Sequence, residues 1–315
     1  MKTILISEGD PTSINYELLV SAFPLLLSLG KRHRIYLIRG PHNLTVPSLP
    51  ILTKPSAAPG FYSLPWSDSK KSRNFTLGKP SVTSGRMAYD SLLAAMDWQT
   101  ELGADLITLP LSKEWVGKAG VKGFRGHTET LAEYYKRPTF MMMSGEKLNV
   151  IPLTTHVPLK DVVKELKRFS WSELSKALAR SQFLKNPKIA YLGLNPHAGE
   201  GGKIGDEEST ILAGGVKVLR KAKFSVEGPL SADSAFLPGA KPYDLYLAGY
   251  HDQGLIPFKL LEGKKGVNIT LGLNFTRLSP DHGTAFDIAG KGVADPTGLI
   301  SCLERLNGDE RKINS

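Results

Sequence analysis

The chain has 315 residues, of which 41% are hydrophobic and 22% are charged, and it contains 21 prolines. This composition excludes a peptide, a disulfide-rich miniprotein, a fibre and a largely disordered chain, and the length suits two domains or one large α/β unit. The 40 basic and 30 acidic side chains leave a formal net charge of +10, which favours anionic partners such as phosphorylated metabolites or nucleotides. The basic residues stand in short groups without aromatic residues between them, which indicates a solvated surface rather than a nucleic-acid interface.

Strand and helix patterns alternate along the chain. In the first third, strands are predicted at 3–7, 34–38 and 105–109 and helices at 15–29, 85–102 and 127–135, while 40–84 is predicted to be irregular with one or two short strands. Further strands are predicted at 139–143, 148–153, 189–194, 245–250 and 267–271, and helices at 160–184 with a break near Ser170, 206–221 and 285–289. The alternation predicts an α/β fold with a parallel or mixed sheet flanked by helices.

The cysteine content and the length of the apolar runs indicate the cellular compartment of the protein. The single cysteine, Cys302, leaves no partner for an internal disulfide or a CxxC motif, which suits a reducing cytoplasm. The first nine residues lack the apolar core of about 7–15 residues of a signal peptide. No apolar run approaches the length of about 20 residues that spans a bilayer. We therefore expect a cytoplasmic protein without a membrane segment.

Three of the seven histidines follow predicted strands directly. His156 follows 148–153, His197 follows 189–194 and His251 follows 245–250. Ligands of open α/β sheets bind at the carboxyl ends of strands, so these imidazoles could converge on one ion. Three neutral imidazoles with an open fourth position match a catalytic zinc site, and such a site also accepts cobalt, nickel or manganese. Each histidine alone is more often a hydrogen-bonded loop residue than a metal ligand, and only their shared position makes a metal site an equal alternative. The spacing does not decide between them, because no HxxxH or HExxH signature is present.

Glycine-rich turns offer sites for anions. The segment 195–202 joins a strand to a helix and contains three glycines that permit close backbone approach to a ligand. Lys259, Asn268 and Arg277 lie in another glycine-rich region and could hold a phosphate, although surface and turn roles are the favoured interpretation from the residues alone. No GxGxxG follows a strand and no GxxxxGK[ST] occurs, so a nucleotide would have to bind by another arrangement.

Six segments together resemble one known family. They are Gly126-His127-Thr128-Glu129, Thr154-Thr155-His156-Val157-Pro158-Leu159, Asn195 to Gly202, Tyr250 to Leu255, Gly266 to Leu273 and Asp281-His282-Gly283-Thr284-Ala285. In this order they are similar to the signature segments of the 4-hydroxythreonine-4-phosphate dehydrogenase family of pyridoxal 5'-phosphate biosynthesis, over residues from about 85 to 300. The loop that continues through Asp287 to Gly292 is also similar to the cofactor loop of isocitrate and isopropylmalate dehydrogenases.

The resemblance implies roles for individual residues. It implies His156, His197 and His251 as ligands of a catalytic divalent metal ion (zinc, cobalt or magnesium), with one histidine contributed by the partner of a homodimer. As substrate-binding residues it implies His127, Thr128, Lys259, Asn268 and Arg277. As residues that bind NAD or NADP it implies Asp281, His282, Gly283, Thr284 and Asp287. Asp252, His282 and Lys113 remain open as candidates for the general base.

The resemblance also implies a fold of two α/β/α lobes with a central cleft, as in isocitrate and isopropylmalate dehydrogenases. We expect the first lobe to comprise 1–125 and 285–315, and the second, 126–284, to carry the metal and phosphate residues. The chain departs from the family after its first strand, where 10–16 reads Asp-Pro-Thr-Ser-Ile-Asn-Tyr instead of a turn of the Gly-Ile-Gly-Pro type. Contacts of that loop with a ligand are therefore open.

The implied reaction is oxidation of 4-phosphohydroxy-L-threonine to 2-amino-3-oxo-4-phosphonooxybutanoate, which decarboxylates to 3-amino-2-oxopropyl phosphate. One alternative is a related dehydrogenase of four-carbon sugar-acid phosphates, such as threonate or erythronate 4-phosphate, which would keep the metal and phosphate residues. A more remote alternative is a phosphate acyltransferase, although three histidines at strand ends argue against it because acyl transfer to phosphate needs no such metal site.

Overall fold

The structure, a computed structural model, describes residues 1–44, 46, 49–66 and 72–308. It contains two compact units, which are residues 1–134 with 275–315 and residues 135–274. Residues 126–134 and 275–284 were expected in the second lobe, whereas in the structure they group with the first unit. The physical reason is pairing, because the strand that begins at Arg277 pairs in parallel with the strand at 105–108. In the described part of the chain, no helix is both long and apolar enough to cross a membrane.

The first unit has five parallel strands in the order β3-β2-β1-β4-β11. They are β1 (Thr3–Ser7), β2 (Arg34–Arg39), β3 (Gly60–Pro65), β4 (Asp105–Thr108) and β11 (Arg277–Pro280). Its helices are α1 (Asn15–Ser21), α2 (Phe23–Gly30), α3 (Val82–Leu102), α4 (Lys113–Lys118), α5 (His127–Tyr135, ending at the unit boundary) and α10 (Thr297–Asn307). Every residue of the central strand β1 is buried, which explains its continuous apolar sequence, as expected when helices cover both faces of a parallel sheet.

The second unit has six strands in the order β10-β5-β6-β9-β7-β8. They are β5 (Phe140–Ser144), β6 (Asn149–Pro152), β7 (Lys188–Leu192), β8 (Ser225–Leu230), β9 (Leu245–Ala248) and β10 (Val267–Leu271), with β5 antiparallel to both β10 and β6 and the other pairs parallel. Its helices are α6 (Val162–Arg168), α7 (Trp171–Ala179), α8 (Ala213–Lys221) and α9 (His251–Glu262). The core includes Val150, Leu192 and Phe258.

Most predicted elements are confirmed, and the differences have local causes. The helix predicted at 15–29 is divided into α1 and α2 at Ala22, where Pro24 occupies the first turn of α2. Helix α3 begins at Val82, three residues earlier than predicted, because the side chains of Ser81 and Ser84 form a capping box. The helix predicted at 160–184 is broken between α6 and α7, as expected near Ser170.

Three helices, α4, α9 and α10, were missed, and one was predicted wrongly. Helix α9 contains Gly254 and Pro257, both unfavourable inside a helix, and this explains why the pattern did not indicate it. The helix predicted at 285–289 was wrong, because Ala285 has a φ of 45° and the following residues form turns. Strands β8 and β11 were also missed. Both contain a proline, which lowers strand propensity, and β8 lies at the end of the strand order of its unit.

Candidate active site

Two predicted metal ligands come together in the second unit. His156 follows β6, and His251 is the first residue of α9, directly after β9. Their imidazole ring centroids are 5.9 Å apart. Strands β6 and β9 are parallel neighbours, so their carboxyl ends deliver both rings to the same place. Ring centroids at this distance are compatible with two imidazoles that bind one ion, because each metal–nitrogen bond is about 2.0–2.1 Å long.

A carboxylate holds the Nδ1 atom of two of the predicted ligands. His251 Nδ1 lies 2.6 Å from the Asp252 carboxylate, and His197 Nδ1 lies 2.9 Å from the Glu200 carboxylate. A carboxylate at Nδ1 favours the Nδ1–H tautomer and leaves the Nε2 lone pair for a metal, the arrangement common around histidine ligands. The Glu200 hydrogen bond and charge raise the pKa of His197, so protons compete with a metal there. Glu200 was not predicted from the sequence, and Asp252 was predicted only as a candidate general base.

The loop that carries His197 has an unusual backbone. His197, Ala198 and Glu200 have φ values of 51°, 53° and 43°, in the left-handed region that costs a residue with a side chain roughly 1–2 kcal/mol. The base of the loop is fixed by the buried Glu208 carboxylate, which accepts hydrogen bonds of 2.8 Å from the N–H groups of both Leu194 and Asn195. Bonds to a charged group contribute about 1.5–3 kcal/mol each, enough to offset much of the strain. Strained backbone at a loop tip is typical of functional sites.

One chain alone does not assemble all three histidines. His197 contacts Glu200 rather than the His156 and His251 pair, and its side chain is 61% exposed. Within the described ranges, no three side chains of His, Cys, Asp or Glu form a group that could hold a metal ion. The donor set, three imidazoles of which two have an Nδ1 held by a carboxylate, nevertheless fits zinc or a similar divalent ion.

A basic cluster lies in the first unit, formed by the buried Arg277, the partly buried His127 and the exposed Lys113. Burial is the largest cause that lowers the pKa of His127 well below its ordinary value, followed by the positive charges of Arg277 and Lys113. The His127 ring is hydrogen-bonded to the backbone of Leu109, while its Nε2 atom is buried without a hydrogen-bond partner. The bond therefore uses Nδ1, and the neutral ring offers a buried Nε2 lone pair as an acceptor.

Arg277 supplies the permanent charge of this cluster. Its side chain is 1% exposed, and it donates a hydrogen bond to the Thr108 hydroxyl at the end of β4. Burial lowers the pKa of Arg277 to about 10, with Cys302 and Glu129 acting in the opposite direction. The guanidinium therefore keeps its charge at neutral pH, and a guanidinium is well suited to a phosphate or a carboxylate. A buried cation of this kind is expensive unless anions accompany it.

Of the other predicted substrate residues, Thr128 lies in the first unit, and Lys259 and Asn268 lie in the second. Thr128 follows His127 on α5, Lys259 lies on the exposed side of α9, and Asn268 is the second residue of β10. The Asn268 Oδ1 atom is buried and has no hydrogen-bond partner. An unsatisfied buried acceptor costs about 1–3 kcal/mol, so a ligand that donates to it would remove that penalty. The Cys302 thiol is buried, and burial raises its pKa to about 12, which excludes a thiolate at neutral pH.

The predicted cofactor residues lie in an irregular loop of the first unit. Asp281, His282, Gly283, Thr284 and Asp287 all follow β11. His282 Nδ1 lies 3.0 Å from the Gly283 carbonyl oxygen, and its Nε2 is buried without a hydrogen-bond partner. That Nε2 atom gives the loop one orphaned polar group that a bound dinucleotide would satisfy. The assignment of the cofactor to this loop comes from the resemblance to the family, which binds the dinucleotide without the GxGxxG turn that this sequence also lacks.

In the loop that departs from the family, residues 10–16, the side chains of Asn15 and Tyr16 form hydrogen bonds within the first unit. The Tyr16 hydroxyl donates to Glu8 at 2.8 Å, and His42 Nε2 lies 2.7 Å from the same Glu8 oxygen. The Asn15 amide donates to the carbonyl oxygens of Glu8 and Pro110 at 2.9 and 2.8 Å. Glu8, Asn15, Tyr16 and His42 are all buried, so the changed residues support the ends of the strands.

A separate cavity of about 650 Å³ lies in the second unit. Residues of α6, α7 and α8 line it, together with Asp206 and Glu207, which precede α8. It contains none of the predicted site residues. One lining residue, Glu207, accepts a hydrogen bond of 2.7 Å from the Asn195 amide at the base of the His197 loop. The chemistry of the site therefore lies outside this cavity.

The chain is similar in sequence and in fold to proteins of one family. The sequence model of the pyridoxal phosphate biosynthetic protein PdxA matches residues 48–305. The 4-hydroxythreonine-4-phosphate dehydrogenase of a Sulfurihydrogenibium species is 41% identical over 96% of this chain and 97% of its own. The crystal structure of 4-hydroxythreonine-4-phosphate dehydrogenase from Klebsiella pneumoniae is 33% identical, covers 96% of both chains and has a TM-score of 0.78. Isocitrate dehydrogenase from Methylococcus capsulatus, 13% identical over 98% of this chain and 86% of its own, has a TM-score of 0.50 and shows the fold alone.

The fold and its relatives define an oxidoreductase of the isocitrate dehydrogenase-like α/β class, and a dehydrogenase of this class implies a nicotinamide cofactor. The family is shown by the match to residues 48–305 and by the identity of 41% over nearly the whole length of one relative. The chain belongs to the pyridoxal phosphate biosynthetic protein PdxA family. Two predictions from the sequence, the family and the fold class, are thereby confirmed.

Proposed function

We propose that this chain is a metal-dependent enzyme that oxidises 4-phosphohydroxy-L-threonine with NAD or NADP. The product, 2-amino-3-oxo-4-phosphonooxybutanoate, loses carbon dioxide to give 3-amino-2-oxopropyl phosphate in pyridoxal 5'-phosphate biosynthesis. The observation that carries the proposal is the pair of imidazoles from His156 and His251, 5.9 Å apart at two parallel strand ends. The names of the family's relatives support the choice of substrate.

His156, His251 and His197 would hold the metal ion, which is zinc, cobalt or magnesium. When bound, a divalent ion lowers the pKa of a coordinated hydroxyl group and the nicotinamide accepts a hydride from the carbon that carries it. The protein's own contribution is orientation, because Asp252 and Glu200 hold the Nδ1 atoms so that Nε2 faces outward for binding.

The basic cluster of the first unit would bind the charged groups of the substrate. Arg277 keeps its positive charge at neutral pH and presents a fork of donors that matches a phosphate. His127 enters as a neutral ring whose Nε2 accepts a proton. The arrival of a phosphate would favour the charged imidazolium, so substrate binding and protonation of His127 are coupled. In the same role we place Thr128, and Lys259 and Asn268 of the second unit.

We further propose that the enzyme is a homodimer in which His197 comes from the partner. The apolar side chains of Ile256 and Leu260 are 59% and 81% exposed, one helical turn apart on α9, the helix that begins with His251. Residues at positions i, i+4 and i+8 share a helix face, so these two side chains continue the face of Asp252. An exposed apolar stripe next to a metal ligand suits a second copy of the chain. The exposed His197 supports the same arrangement.

NAD or NADP would bind at the loop that contains Asp281, His282, Gly283, Thr284 and Asp287. The buried Nε2 of His282, which has no hydrogen-bond partner, supports this assignment. We assign the reaction to the cytoplasm and expect neither nucleic-acid nor membrane binding, since the lone Cys302 and the scattered basic residues favour this interpretation.

Substrate comparison tests the proposal. Purified protein is loaded with a divalent ion and incubated with NAD or NADP and 4-phosphohydroxy-L-threonine, in parallel with threonate and erythronate 4-phosphates. We expect formation of reduced nicotinamide and release of carbon dioxide with the first substrate. Turnover only with a sugar-acid phosphate would show that the chain is a dehydrogenase of sugar-acid phosphates instead. Acyl transfer between acetyl phosphate and coenzyme A, without nicotinamide reduction, would contradict the proposal altogether.

A further inference from the structure

A carboxylate on the first helix holds the far end of the candidate cofactor loop, residues 281–292. Glu17, in the first turn of α1, accepts hydrogen bonds from the backbone N–H groups of both Gly290 and Gly292, the latter at 3.1 Å. Each carboxylate oxygen takes one of the two bonds. The contact joins residues 273 positions apart in the sequence, so it is a long-range tie between helix α1 and the loop.

The backbone of the loop is shaped for this contact. Gly290 and Gly292 have φ values of 84° and 68°, in the left-handed region that glycine enters without penalty. Backbone N–H groups in such turns converge into a concave site for an anion. Here the anion belongs to the protein itself, because the Glu17 carboxylate occupies that position.

Residues 12–14 hold another part of the loop, through one direct hydrogen bond and through Gly78. The Ile14 N–H donates to the Thr284 carbonyl oxygen at 3.2 Å, and the Gly78 N–H donates to the Thr12 carbonyl oxygen at 2.8 Å. A methyl group at Gly78 would lie 2.9 Å from the Phe286 carbonyl oxygen, so the loop passes directly over this glycine. The segment 12–17 is therefore the support on which the loop rests.

Inside the loop, few bonds oppose opening. The described backbone bonds within it are two turns, from Ile288 N–H to the Ala285 carbonyl oxygen and from Lys291 N–H to the Ile288 carbonyl oxygen, both 3.2 Å. Gly290 and Gly292 are themselves exposed. Short exposed turns open at low free-energy cost. The fraction of molecules with an ordered loop then depends on bonds to residues outside the loop, and the two bonds to Glu17 have a charged acceptor.

We propose that Glu17 is a positioning residue for the dinucleotide-binding loop. This inference rests on the proposed function, in that the loop binds NAD or NADP. Glu17 acts through Gly290 and Gly292 and not on the dinucleotide itself. When only an ordered fraction of the protein binds a ligand, the apparent dissociation constant rises as that fraction falls. Loss of the carboxylate therefore weakens dinucleotide binding and leaves turnover at saturating dinucleotide unchanged.

The departure from the family's usual turn fits this role. The Asn15 amide is bonded to the carbonyl oxygens of Glu8 and Pro110, and the Tyr16 hydroxyl is bonded to Glu8. Both side chains are buried. The two residues that precede Glu17 are thus anchored on the ends of β1 and β4, and they fix the position from which the carboxylate reaches the loop.

The test compares Glu17→Gln and Glu17→Ala with a matched control, Glu304→Gln, whose side chain is exposed on α10 of the same unit. Hydrogen exchange of a peptide that covers Gly290 and Gly292 is measured in the protein without dinucleotide. The dissociation constants for NAD and NADP are measured by calorimetry. We expect faster exchange in the loop and binding weakened by about tenfold in Glu17→Ala, with a smaller effect in Glu17→Gln and none in the control.

The outcomes separate this inference from the proposed function. If the wild-type chain binds neither NAD nor NADP, the assignment of the loop to the cofactor fails, whereas the exchange experiment still reports whether Glu17 orders the loop. Wild-type binding together with unchanged exchange and unchanged dissociation constants in both Glu17 variants would overturn the inference. Equal loss of protection in α1 and in the loop would also overturn it, because Glu17 would then act through the stability of its helix.

Discussion

The imidazoles of His156 and His251 face each other with ring centroids 5.9 Å apart, although 95 positions separate the strand ends that carry Thr154 and Gly249. The Thr154 hydroxyl donates to the Gly249 carbonyl oxygen at 2.8 Å, which ties together the two backbone segments just before the histidines. The parallel register of β6 and β9 therefore positions the pair before any ion binds.

The first prediction concerns the carboxylates at Nδ1. Asp252→Asn and Glu200→Gln should lower metal affinity by about 10–100-fold, because an amide no longer favours the tautomer that leaves Nε2 free. Zinc affinity measured against a competing chelator checks this result, with Asp90→Asn as the control because Asp90 pairs with Arg86 on the surface. Unchanged zinc affinity in both variants would mean that these carboxylates do not orient ligands.

The second prediction concerns the buried guanidinium. Arg277→Lys keeps a positive charge but loses the fork of donors, and we expect the KM for the phosphorylated substrate to rise by roughly tenfold or more. Steady-state kinetics check the change, with Arg86→Lys as the surface control. Since Arg277 is buried, Lys259→Ala provides a second, exposed variant that tests the phosphate contact. Unaltered KM in both variants would remove these residues from substrate binding.

The third prediction uses the sign of the His127 shift. The folded state holds this ring neutral, with a pKa well below the ordinary value of 6.5, whereas the unfolded chain takes up a proton near that value. The free energy of unfolding should therefore fall as pH drops below about 6.5, by up to about 1.4 kcal/mol per pH unit from this group. Denaturant unfolding of wild type and His127→Asn at several pH values measures the difference. A steeper loss in the variant than in wild type would contradict the assignment.

His127 should also link substrate binding to proton uptake. Titration calorimetry near neutral pH, in buffers of different ionisation enthalpy, reports the protons exchanged on binding. The substrate phosphate itself titrates with a second pKa of about 6, so His127→Asn serves as the reference. We expect net uptake to be greater in wild type than in this variant. Equal proton exchange would show that His127 keeps its charge state.

The fourth prediction tests the apolar stripe of α9. Leu260→Asp places a charge in the middle of the proposed dimer contact, so it should shift the mass in solution from dimer to monomer. Light scattering measures the mass, and Val218→Asp is the control because Val218 is also exposed, on α8. A monomeric wild-type chain, or a Leu260→Asp variant that remains a dimer, would exclude this face as the interface.

Much of the fold could be predicted because buried strands have sequences rich in apolar residues. Strands β1 and β10 are short and largely buried, and both have the bounds predicted from the sequence. Helix α9, in contrast, contains Gly254 and Pro257, and only its packing into the second unit forms it. Strand β8 contains Gly228 and Pro229, and tertiary pairing with β7 overrides their low strand propensity.

The candidate site was predictable in its residue types but not in its supporting contacts. Histidines at strand ends follow from the position of each strand, and the pairing of β6 with β9 then brings His156 to His251. The Glu200 contact depends on left-handed turns at His197 and Ala198, which no propensity predicts for residues with a side chain. The tie from Glu17 to Gly290 spans most of the sequence and has no local signal.

The central claim is that one metal site uses His156 and His251 of one chain and His197 of its partner. Mixing the inactive variants His156→Ala and His197→Ala, after dissociation and reassociation, tests it directly. Hybrid dimers would contain one complete site, so a random mixture should recover about a quarter of wild-type activity and of bound metal. The same treatment of His156→Ala with His251→Ala should recover nothing, because both ligands come from one chain. No recovery in the first mixture, or recovery in the second, would contradict the account.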